Sequence, residues 1–159
     1  MTTKNTDLVA NFEASPQVAN SAAELAGVLR TAHGSVELAA GDSTDNDIVM
    51  LAPIPSNAAV PTLFIGSDTF GGSCTFNVGI YTTAGVVKDE DVFATSVADA
   101  AAMTDVRYEV ADLNTGSQKL WELAGDSSDP GGYYYIAITF DATGGTAGTL
   151  NWNISYVVD

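Results

Sequence analysis

Apolar and polar residues alternate with a period of two along several stretches of the chain. Cys74, Phe76, Val78 and Ile80 fall on one side while Thr75, Asn77 and Gly79 take the other. Val106, Tyr108 and Val110 alternate with Arg107 and Glu109. Tyr134, Ile136, Ile138 and Phe140 repeat the pattern, and Trp152, Ile154, Tyr156 and Val158 alternate with Asn151, Asn153 and Ser155. Successive side chains of a strand point to opposite faces, so this periodicity predicts half-buried β-strands. Less regular apolar runs at Val36–Ala39, Ile48–Ala52 and Leu63–Ile65 predict further strands, and Lys119–Leu123 predicts a short one. Polar alternate faces imply antiparallel sheets with one wet side, and seven or eight such strands pack as an all-β antiparallel sandwich.

The turns fit that plan. Gly71-Gly72, Asp129-Pro130-Gly131-Gly132 and Gly144-Gly145 supply either φ > 0 or a fixed φ between strands. Asp89 to Ala102 breaks the pattern, because an acidic triplet followed by Val92, Phe93 and an alanine-rich stretch reads as a long connection with a helical turn. Residues 1–34 lack sustained periodicity, whereas strand-like runs recur from Ser35 onward, which predicts an N-terminal arm, 1–34, and a sandwich domain, 35–159. Within the arm, Ser21-Ala22-Ala23-Glu24 has capping-box spacing ahead of Leu25, Val28 and Leu29, predicting a short helix. The arm reads either as a loose tail or as a docking strap anchored by Leu8, Val9 and Phe12.

With 159 residues the chain suits one domain on the usual scale of roughly 100–200 residues. Charge changes the picture more than length does. Five Lys and Arg stand against 20 Asp and Glu, a net charge of −15, and that field repels the phosphate backbone, so nucleic acid is not an expected partner. The arm holds Lys4 and Arg30 against Asp7, Glu13 and Glu24, a net of −1, which leaves −14 on residues 35–159. The N-terminus has no apolar run of signal-peptide length and nowhere do 18 apolar residues follow one another, so the chain reads as cytosolically made, soluble and without a membrane partner.

Candidate chemistry is sparse. A single Cys, Cys74, and a single His, His33, exclude an internal disulfide, a Cys-rich zinc site and most nucleophile–base pairs. The stretch Gly71 to Thr75 lacks the second glycine of a nucleophile elbow. Cys74 lies in an alternating run, as a small buried hydrophobe does. Paired carboxylates carry no spacing signal in a chain with 20 acids, and acids on a soluble β-protein ordinarily make a solvated surface. Asp42 to Asp47 gathers oxygen ligands but lacks the glycine and distal glutamate of a calcium loop, and Asp126 to Asp129 reads first as a turn. Gly144 to Gly148 has no neighbouring base and is no phosphate cradle. Trp121, Trp152 and Tyr133 to Tyr135 offer flat rings to a sugar or, in alternating strands, to the core.

Four stretches have a further likeness: Asp47 to Val60 (DIVMLAPIPSNAAV), Phe76 to Tyr81 (FNVGIY), Asp89 to Ala94 (DEDVFA) and Gly131 to Thr139 (GGYYYIAIT). Their phrasing and order resemble small virion structural proteins of tailed bacteriophages, of the capsid decoration or cement type, over residues 35–158. The arm from Asn5 to Ala32 matches nothing in them. The resemblance implies a jelly-roll-like sandwich on the outer surface of the capsid, made in the host cytoplasm and commonly a homotrimer, that clamps neighbouring major capsid protein subunits. It implies no enzyme and no cofactor. Capsid binding then falls to Leu8, Val9 and Phe12, with Arg30 and His33 at the end of the arm. The rival from another class is a carbohydrate-binding or host-recognition fibre domain of a virion on the same sandwich, with a glycan-cleaving enzyme third.

Overall fold

The computed structural model describes residues 4–99, 102–108 and 114–158. Two four-stranded antiparallel sheets face each other, and helix accounts for 7%. The first sheet has the order β1 (Leu29–Leu38), β8 (Gly148–Val158), β3 (Ala58–Ser67), β6 (Thr104–Asp105). The second has the order β2 (Ile48–Pro55), β7 (Tyr133–Ala142), β4 (Thr75–Thr82), β5 (Val87–Ala98). Among the described strands only β4 and β5 are consecutive within one sheet, so the other connections carry the chain across the sandwich. The expected all-β sandwich is the fold.

The alternating residues do what their period requires. Phe76, Val78 and Ile80 of β4, Ile136, Ile138 and Phe140 of β7, and Leu150 and Ile154 of β8 point into one core with Ile54, Leu63, Ile65 and Phe93. Phe140 packs edge-on to Phe70 at 5.7 Å and to Phe76 at 6.0 Å. Such edge-to-face pairs add to the burial of each ring.

Five expectations change. Asp89–Ala98 is strand, not connection: β5 pairs with β4, and the ladder absorbs its acidic start in a bulge between Asp89 and Ala94. The long connection with a helix lies instead between β6 and β7. Lys119–Leu123 contains a short helix, α2 (Leu120–Leu123), because the Glu122 carboxylate accepts from the Lys119 N–H while Leu120 is buried. The strand expected at Val106–Val110 does not form in its described residues: the short strand β6 ends just before it, at Asp105, whose carboxylate accepts from the N–H groups of both Leu63 and Arg107, and Arg107 and Tyr108 lie in a turn; residues 109 and 110 lie outside the described residues. Ser21 to Leu25 forms a turn closed by the Ser21 carbonyl and hydroxyl, not a helix, and Gly27 fits against Val157 where a Cβ would collide. A helix forms instead near the N-terminus, α1 (Asp7–Glu13), with Thr6 as its N-cap and Asp7 in its first turn. β1 begins at Leu29 and runs across position 35, so Leu29–Gly34 pair with β8 as part of the sheet.

Candidate docking interface

The residues singled out from the sequence sit in two places. Leu8, Val9 and Phe12 lie on α1, no residue of which is buried, and Phe12 is 67% exposed. Their helix is held by Asn11 donating to Asn20 at 2.8 Å and by Asn20 donating to the Leu8 carbonyl at 3.2 Å. A hollow of ≈ 470 Å³ between Asp7, Glu24, Pro61 and Tyr108 separates this segment from the end of β3. Arg30 and His33 are on β1, both exposed, three positions apart and therefore on opposite faces of the strand. His33 opens onto a shallow groove of ≈ 420 Å³ with Ser35, Asn151, Asn153 and Met103. The fold thus groups the three apolar candidates on one helix and keeps Arg30 and His33 on a separate strand.

Among the described residues no metal-binding cluster forms around the remaining candidates. Cys74 is buried beside β4, in the sheet opposite to the one holding His33, and burial, reinforced by the charges of Asp99 and Asp141, pushes its thiol up to about 11. Among the described residues no group of three His, Cys, Asp or Glu is placed to hold a metal ion. Two of the three acids of the 42–47 loop are turned inward on their own backbone. Asp42 accepts from Ala39 N–H at 2.9 Å, and Asp47 accepts from the N–H and hydroxyl of Thr44, which lowers its carboxyl below the usual range.

Asp126 and Asp129 are likewise structural. Asp126 accepts from Lys88 at 2.6 Å and from the Tyr134 hydroxyl, and Asp129 accepts from Ser56 at 2.6 Å and from Gly131 N–H. Those hydrogen bonds hold both carboxyls down. The rings divide rather than gather: Trp121, Trp152 and Tyr134 pack on the core, while Tyr133 is exposed.

The sequence gives no hint of Arg107. Alternation assigns it to a wet strand face, yet it is 2% exposed, donating to the carbonyls of Val60 at 2.8 Å and Thr115 at 2.9 Å, with its guanidinium 5.0 Å from the Phe93 ring and 5.3 Å from that of Tyr108. Burial lowers its pKa. The only available signal is scarcity: it is one of three bases among the 17 acids of residues 35–159.

These perturbed groups set the alkaline behaviour. Burial first, and then its bond to Asp126, pushes Tyr134 up to about 12, and Cys74 rises from 9.0 to about 11. Both are neutral when protonated, and a raised folded-state value means the fold favours that neutral form. Their contribution to stability is therefore complete below about pH 9 and is lost as pH climbs toward 12. Urea midpoints are expected to hold level between pH 7 and 9 and to fall between 10 and 12. A flat profile through pH 12 would contradict the burial of these two groups.

No protein-family model and no curated protein matches the chain. Among solved structures it is similar to a chain of the cyanophage Pam1 capsid asymmetric unit, at 18% identity over 84% of this chain and 86% of that one, with a TM-score of 0.47. It is also similar to a chain of the acidic stable capsid of Helicobacter pylori bacteriophage KHP30, at 11% identity over 82% of this chain and 94% of that one, with a TM-score of 0.33.

Proposed function

We propose that this protein is a non-enzymatic virion structural protein that decorates an assembled bacteriophage capsid from outside and stabilises it by bridging major capsid subunits, as a homotrimer. The observation that carries the reading is a division of labour within the chain. The sandwich completes its core without residues 4–28, while that segment holds Val9, Phe12, Val18, Leu25 and Val28 exposed. Apolar side chains left in water on a segment outside the core are anchors in search of a pocket. The segment carries a net charge of −2, from Lys4 against Asp7, Glu13 and Glu24, so its anchoring rests on these apolar side chains rather than on charge. The phrasing of residues 47–60, 76–81, 89–94 and 131–139 points to the same class.

The mechanism is linkage. A protein that binds only the closed shell stabilises it by mass action, and contacts from several copies to neighbouring subunits multiply that effect. No cofactor enters this function.

The test is deletion of residues 1–20 followed by co-sedimentation with empty heads. One buried aromatic anchor is commonly worth ~2 kcal/mol or more, about thirtyfold in affinity, so the truncated protein should fold normally and bind heads at least about thirtyfold more weakly. Equal occupancy for both forms would discard the docking role of the arm.

A further inference from the structure

We infer that the free edge of β1 receives an extended strand from the capsid subunit this protein decorates, so that the first sheet grows by one strand across the contact. This rests on the proposed capsid role and gives it a mode of contact. Two sheets leave four edge strands, β1 and β6 in the first, β2 and β5 in the second. Three of them are blunted. β6 is two residues long, β2 carries Pro53, Pro55 and a register shift between Met50 and Ala52, and β5 has three register shifts and the acids Asp89, Glu90 and Asp91. Short length, proline, bulges and edge charge are the devices that keep sheets from joining. β1 has neither proline nor bulge: its ten residues hold one unbroken register with β8, from Leu29 opposite Val157 to Leu38 opposite Gly148.

The pairing on the inner side determines which backbone groups are left over. In an antiparallel ladder the N–H and C=O of alternate residues turn to alternate sides. Both groups of Thr149 bond Asp68, on the β3 side of β8, so the even-numbered residues of β8 are the ones that bond β1. These pair with the even-numbered residues of β1, which leaves Leu29, Thr31, His33, Ser35 and Glu37 with N–H and C=O on the open side. Ala39, next in that series, agrees, because its N–H and C=O meet Asp42 rather than β8. Among the described residues no hydrogen bond reaches the outward backbone groups of the other five, and all five residues are exposed.

Charge and symmetry select the occupant. Leu25 to Val36 is free of acids in a chain that has 20, and it includes Arg30 and His33, so an uncharged extended segment is received there without repulsion. A second copy offers only its own β1 as an open edge. Pairing β1 with β1 across a twofold axis sets two bodies of net charge −15 side by side and closes as a dimer, whereas the proposed assembly is threefold. The strand therefore comes from the capsid subunit. Main-chain hydrogen bonds carry the affinity of such an addition, and Thr31, His33 and Ser35 add only shallow polar contacts.

The experiment is co-sedimentation of the full chain with empty heads, for the wild type, Ser35→Pro and Ser35→Ala, together with hydrogen exchange on the wild type free and bound. Ser35→Pro removes one outward N–H and keeps the β8 bonds, so it should bind at least about tenfold more weakly while its circular dichroism stays that of the wild type. Ser35→Ala keeps the N–H and should bind as the wild type does. The amides of Thr31, His33 and Ser35 should exchange fast in the free protein and slowly on heads, a readout independent of how the proline variant folds. Equal binding by a folded Ser35→Pro, amides that stay unprotected on heads, or amides already protected in the free protein overturns the strand addition and leaves the capsid reading standing. A wild type that does not bind heads defeats that reading, and the strand addition with it.

Discussion

Truncating Phe140 to alanine is expected to lower the unfolding free energy by about 3–5 kcal/mol. The ring has no exposed surface and contacts Phe70 and Phe76 edge-on, at 89° and 76° between planes. Its backbone also ties β7 to the loop before β2: the Phe140 N–H donates to the Asp47 carbonyl at 2.9 Å, and the Phe140 carbonyl accepts from the Asn46 N–H at 2.7 Å. Removing the ring leaves a void between two sheets that are both constrained by their ladders, so collapse around it is limited and the cost falls toward the upper end of the range. A domain of this size is stable by ~5–15 kcal/mol. The variant should therefore lose a third or more of its stability, read as a lower urea midpoint at unchanged slope. A loss below about 1 kcal/mol would mean that the three rings do not share a packed interior.

Gly79→Ala is expected to be comparably damaging, and its sign is more informative. Replacing glycine by alanine in a strand that tolerates it stabilises by ~0.4–1 kcal/mol, by reducing the freedom of the unfolded chain. At Gly79 the bulge of β5 folds across the outer face of β4. A Cβ there would overlap the Asp89 carbonyl oxygen and come within 2.5 Å of Glu90 Cα. Both obstacles are backbone, so no rotamer change relieves them and β5 must lift away. The expected loss is about 3 kcal/mol or more. Gly41→Ala, with no atom near its would-be Cβ and no left-handed φ, should be neutral or mildly stabilising in the same urea titrations. If Gly79→Ala behaves like Gly41→Ala, β5 does not cross β4 as described.

The same bulge marks where the sequence stops being legible. β4, β7 and β8 each keep one face in the core along most of their length, so polarity alternates and the strands can be read directly. β5 has its acidic start folded over a neighbouring strand and its apolar Val92, Phe93 and Ala94 at a register shift. Both features erase the period of two, and an acid-rich, alanine-rich segment then resembles a connection. Lys119–Leu123 misleads for the opposite reason: five residues are too few for strand and helix periods to differ, and a single carboxylate on the Lys119 N–H decides between them. Of the candidate site, Leu8, Val9 and Phe12 could be singled out as apolar residues of the arm, though not as parts of one helix.

The burial of Cys74 gives the molecule a built-in gauge of its own opening. As the only sulfur able to form a disulfide, it leaves the fold with the same covalent structure in reducing and oxidising media. Buried in the sandwich, and held protonated well above neutral pH, the thiol meets an alkylating or oxidising reagent only when the sandwich parts. Its labelling rate in the native state therefore counts those partings, and a copy that stays shut is silent to thiol chemistry.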